Sequence, residues 1–424
     1  MLTRMNQNGA AVRPSLHPWL LLLILLIVYL LDYADRYLIA GLAQTLKLQF
    51  HLTDGFLGLL MGPAFALLYT ILSIPLARLA DKYSRVGVLV VGCVLWSLFT
   101  LLTGLSTSKW MLVFMRVGVG VGEACFIAPA YSLLADAFSP EKRGRAFAIL
   151  GLAIYFGQIF GYISGPMLAT VGSWRTAFIV MAICGFVMAI VMLLAISEAP
   201  RVHKHDKADP AHTLVKTAMA LWRRPVFVLA NLGMALGSLS GYSFGMWGPT
   251  LFARAYGLSP VAAAKTFGIT FGLAGVTGML VFGLVSDRMT RRHDRWPLIL
   301  SALTLLAATV SIFLVTIAGN LELALILAVP SGLFGGGWSI GVMVALQSML
   351  ADPIRATGTA LFLTMVTFVG LVFGPYLVGL LSDLIGGAPL ESLRLAMILT
   401  ISTGLPAAFF LWLSSRLRLK PDMP

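Results

Sequence analysis

The sequence predicts an all-α integral membrane protein with twelve transmembrane helices in two pseudo-symmetric six-helix halves. Three observations carry that prediction. The composition suits lipid, with 59% hydrophobic and 11% charged residues, where soluble domains run near half apolar and a quarter charged. The apolar residues gather into twelve runs, each close to the ~20 residues that cross a bilayer. Finally, features of the first six runs and their connections recur, in order, in the last six.

In chain order the spans are expected at 18–40, 55–79, 87–106, 110–135, 145–170, 174–196, 225–252, 262–285, 297–318, 321–348, 357–384 and 391–414. The first run is too long for a signal-peptide core, and no small-residue cleavage site follows it, so it reads as a retained helix. Most connections are short. The exception runs from Ser197 to Arg224 and carries Arg201, His203, Lys204, His205, Asp206, Lys207 and Asp209. It reads as a cytoplasmic linker, which divides the chain into 1–196, 197–224 and 225–424. His203-x-His205 has a metal-like spacing, but a solvated linker accounts for it. The six histidines all fall in loops or at span ends. Cys93, Cys125 and Cys184 lie inside apolar runs and read as buried packing residues, since an odd set makes no disulfide framework.

A net charge of +13 could suggest a nucleic-acid partner, but its placement argues against one. Of the 30 Lys and Arg, 22 fall on one side of the predicted spans. Six fall on the other (Lys47, Lys109, Arg175, Arg254, Lys265, Arg394), and Arg36 and Arg116 lie within spans. This positive-inside pattern puts both termini in the cytoplasm. Short loops suggest a bacterial inner membrane as the plasma membrane concerned.

The internal repeat shows at three places about 210 residues apart. Ala77-Arg78-Leu79-Ala80-Asp81-Lys82-Tyr83-Ser84-Arg85 after span 2 is matched by Gly283-Leu284-Val285-Ser286-Asp287-Arg288 after span 8. Leu134-Ala135-Asp136 through Arg143-Gly144 is matched by Leu350-Ala351-Asp352 through Arg355 and Gly358. Gly157, Gly161 and Gly165-Pro166 in span 5 are matched by Gly370 and Gly374-Pro375 in span 11. The Gly-Pro pairs are expected to kink their helices, because proline removes a backbone hydrogen bond. The runs Gly118-x-Gly120-x-Gly122 and Gly335-Gly336-Gly337 lack the strand and turn of a dinucleotide loop. Inside membrane spans they let helices approach closely or bend.

Charge inside the membrane is the chief functional signal, since it persists there mainly where it meets a cavity or a partner. Span 1 carries Asp32, Asp35 and Arg36, at spacings of three and four that share one helix face. Span 4 carries Arg116 and Glu123, seven residues apart and so on one side of the helix. Burial disfavours an ionised carboxylate and a neighbouring guanidinium favours it. A carboxyl held between those opposing effects can take a proton from one side and release it to the other. Asp35 and Glu123 are the candidates for that role, with Arg36 and Arg116 setting the balance and available to an anionic headgroup. Asp32 either lines the cavity or assists Arg36. A static ion pair fixing spans 1 and 4 together is the competing reading, although buried pairs are weak stabilisers.

Twelve spans in two halves, with the paired loops after spans 2 and 8, resemble the major facilitator superfamily of secondary transporters. The first loop is similar to that family's G-x-L-A-D-R-x-G-R-R signature, with Ala77 and Ser84 standing where glycines are usual. Leu31-Asp32-Tyr33-Ala34-Asp35-Arg36-Tyr37, together with Arg116 through Gly122-Glu123-Ala124, resembles the spinster-type transporters. Their motifs are N-x-x-D-R-Y in span 1 and R-x-G-x-G-x-G-E-A in span 4, and Asp32 stands at the Asn position. The resemblance implies alternating access and proton-coupled movement of lysophospholipids or sphingoid lipids. It also implies a gating role for Asp81, Lys82, Arg85, Asp287 and Arg288, through charge contacts between halves that hold the outward-open state. The basic residues among them also satisfy plain positive-inside topology.

The second half offers no intramembrane charge away from its span ends. Its polar groups are Tyr242, Trp247, Gln347, Thr364, Thr367 and Tyr376, amid Phe, Met and Leu. With Tyr33 and Tyr37 opposite, they frame a cavity charged on one wall and apolar on the other, which suits an amphipathic substrate. Ordinary helix packing is the alternative. A small-organic-anion symporter and a gradient-independent lipid scramblase or uniporter also remain open. A membrane enzyme would need a polar catalytic set near an interface, and none is found. No cofactor, metal or nucleic acid is implied, and the expected working unit is a monomer.

Overall fold

The computed structural model describes residues 16–197, 210–350 and 354–417. Among the described residues, twelve helices are long and apolar enough to cross a bilayer. They are Pro18–Gly41, Asp54–Lys82, Arg85–Gly104, Lys109–Ala137, Glu141–Val171, Trp174–Ala195, Pro225–Tyr256, Pro260–Thr290, Trp296–Ile317, Leu321–Met349, Thr357–Ile385 and Pro389–Ser415, hereafter spans 1 to 12. The expected boundaries are met within a few residues. Spans 5, 7 and 8 run longer, and at ~1.5 Å per residue their 31 or 32 residues rise about 45 Å, beyond the hydrocarbon core.

Local chemistry sets many of the ends. Thr53, Ser84, Ser108, Ser259 and Asn320 each accept a hydrogen bond from a backbone N–H in the first turn of spans 2, 3, 4, 8 and 10, satisfying donors that have no intrahelical partner. Pro18, Pro225, Pro260 and Pro389 open spans 1, 7, 8 and 12, where the missing N–H costs nothing.

Four spans are interrupted. Span 2 breaks at Gly62, just before Pro63, and span 4 turns at Ala124–Phe126, immediately after Glu123. Span 12 breaks at Ser402–Thr403. In span 11 the expected distortion at Gly374-Pro375 takes the form of a π-helical segment, Phe368–Phe373, that ends there. In span 5 the helix Pro140–Val171 runs unbroken through Gly165-Pro166. The Tyr162 carbonyl, deprived of its helical donor by Pro166, faces Gly41 of span 1.

Span 1 packs along span 5, span 3 against span 6, and span 10 between spans 8 and 9. The glycines of spans 4 and 10 act as close-approach sites, as expected. A Cβ on Gly120 would meet the Phe65 carbonyl of span 2, one on Gly122 the Trp96 backbone of span 3, and one on Gly336 the Gly275 backbone of span 8.

The halves meet along spans 2 and 11 and along spans 5 and 8. An even number of spans puts both ends of the spanning region on one face, which also carries the connection between spans 6 and 7. On the opposite face, hereafter the far face, the first turns of span 2 interlock with the end of span 11, with Gly58 against Pro375 and Tyr376, and Gly379 against Asp54. Among the described residues, packing of that extent is not repeated between the linker-face ends of spans 4 and 10. Residues 198–209 of the expected linker lie outside the described residues, as does Asp352 of the second repeat loop. The rest of the linker contains a helix, Pro210–Trp222, and Arg224 donates to the Met349 carbonyl at 2.6 Å.

Candidate functional site

Span 1 carries three charges on one side because Asp32 and Arg36 are one helical turn apart and Asp35 is beside them. Arg36 donates from NH2 to Asp32 Oδ1 at 2.8 Å and from Nε to Glu123 Oε2 at 2.8 Å. Arg116 donates from NH1 to Asp35 Oδ2 at 2.9 Å, and the Thr100 hydroxyl of span 3 donates to Asp35 Oδ1 at 3.2 Å. The five charged side chains are at most 3% exposed. Spans 1, 3 and 4 therefore converge on one buried polar network, as the spacing of the charges anticipates.

Aromatic rings close around the guanidiniums. The Arg36 Cζ sits 4.6 Å from the ring centres of Tyr33 and Tyr69 and 5.0 Å from that of Phe65. Phe65 also faces the Arg116 Cζ at 5.2 Å. Such cation–π contacts stabilise a desolvated cation where water is absent. Tyr242 of span 7 lies within electrostatic reach of Arg36 across the seam between halves. In this state the guanidiniums are committed to carboxylates and rings, so an anionic headgroup would have to displace one of them.

The other expected site residues divide into packed and accessible ones. Tyr33 and Tyr37 are buried, with Tyr37 edge-on to Tyr162 at 5.1 Å. Trp247 is fully buried, and its Nε1 donates to the Pro375 carbonyl at 2.9 Å, so it joins spans 7 and 11. Tyr242 and Tyr376 are half-buried and Gln347 is exposed. Asp81, Lys82, Asp287 and Arg288 are exposed on the linker face. Arg85 is buried, and donates to Asp136 at 2.5 Å and to Ser132 at 2.9 Å, both in span 4 of its own half. Cys93 and Cys125 are buried as expected. Cys184 corrects the expectation and is exposed.

A second charged group escaped the sequence reading. On the far face, Asp54 at the start of span 2 accepts from Lys47 at 2.5 Å and from Arg254 NH1 and NH2 at 2.7 and 2.6 Å. Ser382 of span 11 donates to the same carboxylate at 2.9 Å. In return, Asp383 accepts from the backbone N–H of Asp54 at 3.0 Å and of Gly55 at 2.7 Å. Lys47 and Arg254 entered the sequence reading only as two of the six far-side cations. Elsewhere along the seam, the Tyr162 hydroxyl donates to the Gly245 carbonyl, tying span 5 to span 7. The interlock thus joins the halves at one end.

Comparison with known proteins agrees with this architecture. A family model described as Major Facilitator Superfamily matches residues 25–365. The chain is 32% identical over 404 residues to the "MFS-type efflux pump" of Mycolicibacterium smegmatis (strain ATCC 700084 / mc(2)155), covering 94% of this chain and 92% of that one. It is 28% identical over 377 residues to the "Sphingosine-1-phosphate transporter SPNS2" of Danio rerio, covering 83% and 74%. The fold is similar to the crystal structure of a bacterial homolog to the human lysosomal transporter spinster, in inward-facing and unoccupied conformation. The TM-score is 0.82 at 25% identity, with 96% of this chain and 98% of that one covered.

Proposed function

Because the chain belongs to the major facilitator superfamily, we propose that it is a proton-coupled secondary active transporter that moves an amphipathic lipid, such as a lysophospholipid or sphingoid lipid, by alternating access. The observation that carries this reading is the network of Arg36 with Asp32 and Glu123, and of Arg116 with Asp35, sealed among apolar spans. Ionisable groups at that depth are costly and are kept chiefly where they relay protons or bind substrate. Asp35 and Glu123 are the candidates to carry the proton, and Arg36 and Arg116 set how readily they release it.

Alternating access needs a closed end and an open end. The Asp54–Arg254–Asp383 interlock supports a state closed on the far face. The exposed Asp81, Lys82, Asp287 and Arg288, with Arg85 beside them, are the groups that would meet when the linker face closes. The lipid class rests on spinster-type relatives, one of them named a sphingosine-1-phosphate transporter, and on the contrast between the charged first half and a second half offering Tyr242, Gln347 and Tyr376. Both termini then lie in the cytoplasm, and the membrane is a bacterial inner membrane.

Uptake of a labelled lysophospholipid into proteoliposomes, with and without an imposed pH gradient, tests this. Flux that follows the gradient supports it. Gradient-independent flux points to a scramblase or uniporter, and gradient-driven flux of small organic anions alone points to an anion symporter.

A further inference from the structure

The buried network contains three carboxyl groups, Asp32, Asp35 and Glu123, and two guanidiniums, Arg36 and Arg116. Fully ionised, it leaves one negative charge uncompensated among side chains that are almost wholly buried. Buried charges persist only when they are paired, and otherwise neutralise. The hydrogen bonds indicate where neutralisation falls. Asp35 has a donor on each oxygen, Arg116 on one and Thr100 on the other. Asp32 and Glu123 each have one oxygen on Arg36, while Asp32 Oδ2 and Glu123 Oε1 are buried without a partner. The two carboxyls are held by the same guanidinium and line one small void. Two carboxylates at one guanidinium repel unless one carries a proton, and a carboxyl pair that shares one proton is the known solution.

A void of about 10 Å³ adjoins the pair, lined by Asp32, Glu123, Cys93, Trp96, Gly122 and Phe126 among others. That is room for about one water. Trp96 lies at its wall. The titratable or charged neighbours of the pair are Tyr29, Tyr33, Asp35 and Arg36 from span 1 and Tyr69 from span 2. Span 3 adds Cys93, Arg116 of span 4 sits on Asp35, and Tyr242 of span 7 lies within electrostatic reach of Arg36.

We propose that Asp32 and Glu123 hold one proton between them as a carboxyl–carboxylate pair, with Asp35 ionised against Arg116, and that this pair is the proton-binding site. The proton is taken from water on one face, bridges Oδ2 and Oε1, and returns to water on the other. This assignment rests on the proton-coupled reading above, keeps Glu123 from it and puts Asp32 in the place of Asp35 as the second proton-carrying group.

Infrared spectroscopy of the purified full-length chain at neutral pH, without substrate, reads this directly. The native protein should show a protonated-carboxyl C=O band that shifts with carboxyl-labelled aspartate and also with carboxyl-labelled glutamate. Asp32→Asn and Glu123→Gln, both isosteric, should each abolish it, while Asp136→Asn on the linker face should leave it. No such band in the native protein, a shift with only one label, or survival of the band in Asp32→Asn would overturn the proposal. A sodium ion in place of the proton would give no band and a sodium-dependent rise in melting temperature, which also overturns it. Gradient-driven flux without the band rejects the shared proton but keeps the coupled transporter. The band without gradient-driven flux does the reverse.

Discussion

Replacing Asp54 with Asn should release the far end of the molecule. The carboxylate takes two hydrogen bonds from Arg254 and one from Ser382 across the seam, and one from Lys47 beside it. Asn keeps the shape and one acceptor but loses the charge, leaving Arg254, 10% exposed in its side chain, next to Lys47 with no carboxylate shared between them. Charge-assisted hydrogen bonds contribute about 1.5–3 kcal/mol each, and part is regained when the ends separate and hydrate. A net bias of about 2 kcal/mol toward opening corresponds to a roughly thirtyfold change in the ratio of open to closed states. Spin labels at Leu48 and Leu384, exposed far-face positions in opposite halves, would report it once Cys184 is replaced by Ser. Pulsed dipolar distances should show one short population in the Cys184→Ser background and a longer one growing by that factor in Asp54→Asn. An unchanged distribution in both Asp54→Asn and Arg254→Gln would refute the reasoning that this ion group holds the face closed.

Three further outcomes are expected. Asp35→Asn should abolish gradient-driven flux in protein that still folds and inserts, at a cost in stability because it removes the carboxylate that balances Arg116; normal pH-driven uptake would remove Asp35 from the mechanism. Arg116→Met should lower stability by about 3–5 kcal/mol, because it leaves Asp35 buried with only Thr100, and an unchanged thermal melt in detergent would contradict that. Asp81→Lys should shift the population of open states, and unchanged cysteine accessibility on the far face would count against a gating role for that loop.

The spans and the charged network were legible because each depends on local spacing. Asp32, Asp35 and Arg36 share a helix face through the helical period, and the glycines of span 4 announce close approach. The far-face interlock was not legible for the opposite reason. Asp54 and Arg254 are 200 residues apart, and only the meeting of the two halves brings them together. Thr100 was hidden differently. Ser97 and Thr103 in the same span bond to carbonyls four residues back, as alcohols in apolar helices commonly do. Nothing in the sequence marks Thr100 as the one that turns outward to Asp35. Trp247 counts among the polar groups of the second half, and an indole in a membrane span needs an acceptor. That acceptor is the Pro375 carbonyl, beside the π-helical segment of span 11.

The most direct test of the account compares native protein with Glu123→Gln in proteoliposomes loaded for lysophospholipid flux, each with and without a pH gradient. The account predicts that the gradient accelerates flux in the native protein and has no effect in the variant. Equal acceleration in both, or flux indifferent to the gradient in both, would contradict the claim that the buried network couples transport to protons.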